Sequence, residues 1–169
     1  MRDRSSSVKV QKPPGAELGG NTNVLFDVWL IARMTYGALD EALEPSGLTA
    51  DEFGVYSVLH APAPITPSEL ATWMCAPSTT VSSYIKRLES RGHVTRRKNP
   101  DDGRSYVLEL TDEGRRAHQT AGECFQPVLE RVVSELGAKE PTVRRSLASL
   151  HRSLAVATRT VTVMDELSS

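Results

Sequence analysis

The sequence predicts a mainly α fold carrying one small β-hairpin, an α+β chain. Three observations predict it. Apolar residues recur at helical spacing near both ends of the chain. Two helix starts in the middle, "LTADEF" and "ITPSEL", carry the same capping signature. "HVTRRKN" and "SYVLELT" read as two strands around a polar tip at 99–104.

The elements follow in order. "MRDRSSSVKVQKPPGAELGG" is rich in Ser, Pro and Gly, so residues 1–21 read as a disordered tail. Leu25, Val28, Ala32, Thr35 and Leu39 recur every three or four positions, predicting a helix over 22–44 with one buried stripe that Pro45 and Gly47 end. Thr49 can cap a second helix with Glu52 completing a capping box and Leu48 stapling to Phe53; "APAP" stops it after His60. Thr66, Pro67 and Glu69 open a short third helix over 67–74, with Ile65 able to staple to Leu70. After a break at "CAP", a fourth helix runs from Ser78 to Arg91, and Gly92 stops it.

Beyond the hairpin, Thr111 caps a long helix whose first turn holds Asp112 and Glu113, where the helix dipole favours anions. Its stripe is Ala121, Phe125, Val128 and Val132, and Pro127 should kink it near 123–127. A last helix, 141–166, carries a seam of Val143, Leu147, Leu150, Leu154, Ala157, Val161 and Met164 at alternating spacings of four and three, the pattern of helices packed at a shallow angle. The two ends hold more apolar helix than the small central lobe needs. Residues 22–46 and 112–166 are therefore expected to form a helical dimerisation region, with Leu147, Leu150, Leu154 and Val161 on the seam.

Composition narrows the function. Hydrophobic residues make up 39% and charged residues 24%, as in an ordinary globular chain, and no apolar run approaches the ~20 residues of a membrane span. The N-terminus lacks an apolar signal core, so the expected location is cytoplasmic. Cys75 and Cys124 stand far apart, the histidines are scattered singly, and no motif pairs a nucleophile with a base. An enzyme, a metal site and a cofactor site have no support in the sequence. The net charge of −1 conceals an uneven distribution: 77–105 holds seven cations and three anions, whereas 22–66 holds one cation and six anions. A basic segment on an otherwise acidic chain points to a polyanion partner.

Helix, short helix, tight break, longer helix and basic hairpin make a winged helix-turn-helix over 48–111, in which the second helix of the pair enters a DNA major groove. The fourth helix, "PSTTVSSYIKRLESRG", suits that role. Val81, Ile85 and Leu88 fall on a core face with Tyr84 beside them. Ser78, Thr79, Thr80, Ser82, Ser83 and Lys86 make up the candidate reading surface. Small hydroxylic residues are poor exposed helix formers, but they let a backbone sit deep in a groove and can reach base edges or phosphates.

From Leu48 to Gly114 the chain resembles the MarR family of transcriptional regulators. The resemblance is carried by "SELATWM", "STTVSSYIKRLESRGHVTRR" and "NPDDGRSYVLELTDEG", where Asp102, Arg104, Leu110, Thr111 and Gly114 match the family's Asp-x-Arg and Leu-Thr-x-x-Gly pattern. The resemblance implies a homodimer on a pseudopalindromic operator, with half-sites about 34 Å apart. It implies that Arg104 inserts into a minor groove while Asp102 braces its guanidinium. Arg96, Arg97 and Lys98 would meet phosphates, and Gly103 allows the tip a positive φ. The chain departs from the family at Pro77, where Asp or Ser often caps the recognition helix, and at Gly103, where an arginine is common.

The resemblance also implies an effector that binds the DNA-incompetent arrangement more tightly and relieves repression. Trp29, Tyr36, Tyr56 and His60 are candidates to line its cleft, for a small aromatic or amphipathic ligand. Two alternatives stay open. Oxidation of Cys75, at the break between the reading helices, could disturb their packing, although the first helix lacks the cysteine of the family's peroxide sensors. A winged helix can also serve protein contacts without binding DNA.

Overall fold

In a computed structural model, residues 23–100 and 102–167 are described, with side chains to residue 158. Among the described residues, six α-helices and a two-stranded sheet follow in the expected order: α1 (Val24–Leu43), α2 (Ala50–Leu59), α3 (Pro67–Trp73), α4 (Ser78–Ser90), β1 (Val94–Lys98), β2 (Tyr106–Leu110), α5 (Asp112–Leu136) and α6 (Glu140–Leu167). Single 3₁₀ turns, Glu44–Ser46 and Gly137–Lys139, join α1 to α2 and α5 to α6. The proposed tail, 1–21, lies outside the described residues. Among the described residues, no helix is long and apolar enough to cross a membrane.

The caps form as their sequences require. Thr49 and Thr66 each accept from the backbone N–H three residues on, and Glu52 and Glu69 reach back to the cap N–H, so both capping boxes close. Thr111 accepts from the Gly114 N–H at 3.1 Å and donates its hydroxyl to the Gly92 carbonyl at 2.7 Å, tying the start of α5 to the end of α4. Helix α5 continues through Pro127 as one helix.

The core belongs to the central lobe. Leu43, Val55, Tyr56, Leu70, Val81, Ile85, Leu88, Val94, Leu108 and Leu110 are all buried there, joined by Ala121 from α5. Strands β1 and β2 pair antiparallel with Val94 opposite Leu110 and Lys98 opposite Tyr106. The Leu108 N–H also donates to the Ile65 carbonyl at 2.9 Å, which anchors the hairpin base to the α2–α3 connection.

The terminal helices differ from the expected buried stripe. Of α1, only Leu43 is buried; Leu25, Ala32 and Thr35 are exposed, and Val28 and Leu39 are half-buried. Val24, Leu25, Phe26, Trp29, Ile31 and Met34 on α1, Leu129, Val132 and Val133 on α5, and Leu147 and Val156 on α6 all stand exposed. Within the chain α1 packs mainly on α5, and α6 packs chiefly on the 3₁₀ turn before it. On the proposed seam Leu147 is exposed and Leu150 and Leu154 are half-buried; the side chain of Val161 lies outside the described residues.

Candidate nucleic-acid interface

Helix α4 divides into the two faces its sequence implied. Val81, Ile85 and Leu88 are 1%, 3% and 0% exposed, while Ser78, Thr79, Thr80, Ser82, Ser83 and Lys86 are all exposed. Ser83 donates its hydroxyl to the Thr79 carbonyl at 3.0 Å. Among the described residues, the hydroxyls of Ser78, Thr79, Thr80 and Ser82 have no partner, so their bonding capacity is free for a ligand. Pro77 occupies the N-cap position with extended backbone and supplies no side-chain cap. The first N–H groups of α4 therefore carry no side-chain acceptor, and such groups attract anions.

What holds α4 in place is a set of polar links to α2. Arg87 and Arg91, four residues apart on one face, bring guanidinium nitrogens to 3.2 and 3.1 Å from Oε1 of Glu52, which is buried. Neither N–H is aligned for a hydrogen bond to that oxygen, so the attraction is mainly charge on charge. The second carboxylate oxygen accepts from the Thr49 N–H at 3.3 Å, so one side chain caps α2 and fixes the end of α4. Tyr84 donates to Asp51 at 3.0 Å.

Tyr56 and His93 meet at 2.6 Å between Oη and Nδ1. Burial pushes the Tyr56 pKa up; burial and the nearby Arg91 charge push that of His93 down. Both directions favour a neutral pair, with the tyrosine hydroxyl donating to an imidazole protonated on Nε2.

The hairpin sorts its cations into two kinds. Arg96 makes two bonds to Glu89, at 2.5 and 3.0 Å, and stacks over Tyr106. Arg97 pairs with Glu109 at 2.7 Å. Of the cations in 77–105, only Lys86, Lys98 and Arg104 have no ion pair among the described residues. Arg96 and Arg97, expected at phosphates, are engaged in ion pairs in the chain by itself; exposed pairs of this kind are weak and can exchange partners.

Two expectations for the tip need correction. Asp102 does not brace the Arg104 guanidinium; its carboxylate accepts from the Arg104 backbone N–H at 3.0 Å, an Asx-type turn. That turn, with the Ser105 N–H bonded to the Asp102 carbonyl at 3.0 Å, closes the tip without a positive φ at Gly103. Among the described residues other than glycine, the one with a positive φ is Cys75, at 47°, in the turn between α3 and α4. Cys75 is exposed and Cys124 half-buried.

The four effector-cleft candidates do not converge. Tyr56 is fully buried in the lobe core. Trp29 is exposed and its ring lies tilted against that of Phe26, 5.6 Å away. Tyr36 faces the start of α2, where the Asp51 charge, then burial, raises its pKa. His60 follows the other end of α2, nine residues and about 13 Å along the helix, and packs 4.7 Å from the ring of His118 on α5. Burial, then His60, lowers the His118 pKa, and Ser57 lies 3.1 Å from its Nε2.

The MarR family model matches residues 48–106. The HTH-type transcriptional regulator YwoH of Bacillus subtilis (strain 168) is 30% identical over 99 residues, covering 59% of this chain and 72% of YwoH. The chain belongs to the MarR family. YdgJ from the same organism, also an HTH-type transcriptional regulator, is 26% identical over 95 residues, which span 56% of this chain and 58% of YdgJ. The structure of the M. tuberculosis transcriptional regulator MosR in complex with DNA superposes with a TM-score of 0.68 at 30% identity, over 80% of this chain and 98% of MosR.

Within the MarR-family frame, three features escaped the sequence reading. Glu52 was legible only as a cap, whereas it also holds Arg87 and Arg91; the i, i+4 spacing of those arginines was the available signal. His93 was read only as the start of a strand. The left-handed turn residue was hidden because the turn between such helices often holds Gly, and here it holds Cys75.

Proposed function

We propose that this MarR-family chain is a sequence-specific double-stranded-DNA-binding transcriptional regulator, working as a homodimeric repressor on a pseudopalindromic operator. The observation that carries the reading is the outer face of α4: unpartnered hydroxyls and an unpaired Lys86, mounted on a helix whose other face is anchored in the core. Ser78, Thr79, Thr80, Ser82 and Ser83 would approach base edges and phosphates in the major groove, while Lys98 and Arg104 on the hairpin reach the flanking backbone and minor groove. MosR, solved in complex with DNA, supports the assignment by likeness.

The exposed apolar residues of α1, α5 and α6 support the homodimer, because such a surface on one chain is ordinarily covered by a partner. A small-molecule effector acting between these helices and the lobe would release the operator by favouring another spacing of the two α4 helices. The exposure of Cys75 keeps thiol oxidation as a second route to release.

Selection of bound fragments from a random duplex pool tests the reading. It should enrich an inverted repeat whose affinity falls steeply with salt, as phosphate neutralisation demands. A pool that stays unenriched at low salt would favour a winged helix devoted to protein contacts.

A further inference from the structure

A pocket unrelated to the α4 surface lies where α2, the "APAP" connection and α3 meet. Its volume is about 440 Å³, within the range of small-molecule sites. Val58, Ala61, Ala63, Pro64 and Ile65 give it apolar walls. Ser57 from α2 joins them, and Glu69 and Trp73, four residues apart on one face of α3, complete it. Trp73 is 72% exposed, and among the described residues it has no ring, cation or hydrogen-bond partner. Glu69 brings the only charge to the lining, and no Lys, Arg or His shares it.

The carboxylate is held in place. Its Oε2 accepts from the Thr66 N–H and the Thr66 hydroxyl, both at 2.8 Å, leaving Oε1 uncommitted. These bonds lower the Glu69 pKa, so the group stays anionic at neutral pH. An apolar hollow, one fixed negative charge and an uncovered indole face are the three features that recognise an organic cation. An anionic ligand would meet repulsion here with no compensating cation.

We propose that this pocket binds amphipathic organic cations, the apolar body lying against Val58, Ala61 and Ile65 and the ammonium set between the Glu69 carboxylate and the Trp73 ring. The proposal goes beyond the DNA-binding reading and does not depend on it. Helix α3 packs on α4, so occupancy of the pocket touches the element that positions the reading surface.

Isothermal titration calorimetry of the full chain, without DNA, tests it with three matched probes: 4-tert-butylbenzylammonium, the uncharged 4-tert-butylbenzyl alcohol and the anionic 4-tert-butylbenzoate. The ammonium should bind saturably and the alcohol at least five times more weakly, while the benzoate should give no saturable heat. Glu69→Gln should lower the ammonium affinity at least fivefold while keeping the capping box, which Gln also closes. Trp73→Ala, at an exposed position, should lower it at least as much. Absence of saturable ammonium binding, equal binding of the alcohol, tighter binding of the benzoate, or an unchanged affinity in Glu69→Gln would each overturn the proposal. Because no duplex is present, these outcomes stand apart from success or failure of the DNA reading.

Discussion

Gly114 passes directly over the carbonyl of His93: a Cβ at position 114 would lie 2.1 Å from that oxygen. The same carbonyl accepts from the Thr111 N–H at 3.0 Å, so the first turn of α5 is fastened to the start of β1 by backbone alone. Gly114→Ala should therefore push α5 away from the lobe. The expected loss is on the order of 2–3 kcal/mol, as for other overpacked positions, and a urea denaturation midpoint measures it. An unchanged midpoint would show that α5 can shift freely.

Stability should depend on pH in the mildly acidic range. His93 and His118 both have lowered pKa values, His93 through burial and Arg91, His118 through burial and His60. As pH falls, the unfolded chain takes up these protons first, near the ordinary value of about 6.5. Stability is therefore whole above about pH 6.5 and declines as pH drops through the lower folded values. The urea midpoint should be lower at about pH 5.5 than at about pH 7.5, and His118→Gln should shrink the difference. Equal midpoints at the two pH values would contradict the neutral Tyr56–His93 pair and the lowered His118 pKa.

Cys75 adopts a left-handed conformation at φ 47°, which costs a residue with a side chain about 1 kcal/mol. Cys75→Gly should raise stability by about 0.5–1 kcal/mol after the entropic cost of glycine is counted, read as a higher melting temperature. Its duplex affinity should match the wild type. Loss of duplex binding on peroxide treatment in the wild type, but not in the variant, would establish thiol sensing as the route to release.

Leu150 is half-buried on α6. Leu150→Lys would place a charge in the proposed seam, and sedimentation velocity should show monomers at concentrations where the wild type is dimeric. Dimers in the variant would move the interface off this seam.

Much of the fold was legible because its punctuation is chemical. Thr49 with Glu52, Thr66 with Glu69, and Thr111 fixed three helix starts, and both closed boxes are present. The two faces of α4 followed from the positions of Val81, Ile85 and Leu88. The errors lie where tertiary partners compete for a side chain. Glu89 and Glu109 pair with Arg96 and Arg97, which the family resemblance placed on phosphates. Asp102 was expected at a guanidinium but bonds a backbone N–H two residues on, because short polar side chains satisfy the nearest donor. The effector candidates stand apart in the chain: aromatic type does not say which face of a helix is open, and Tyr56 is core while Trp29 is surface.

The central claim is that α4 and the hairpin tip hold a duplex, and Arg104 tests it most directly. Its guanidinium has no ion pair among the described residues, so Arg104→Ala removes a contact without breaking the fold. Fluorescence anisotropy on the selected operator should show a loss of about 1–3 kcal/mol in binding, with thermal stability unchanged. An operator affinity equal to wild type across the salt range, in a folded variant, would contradict the account.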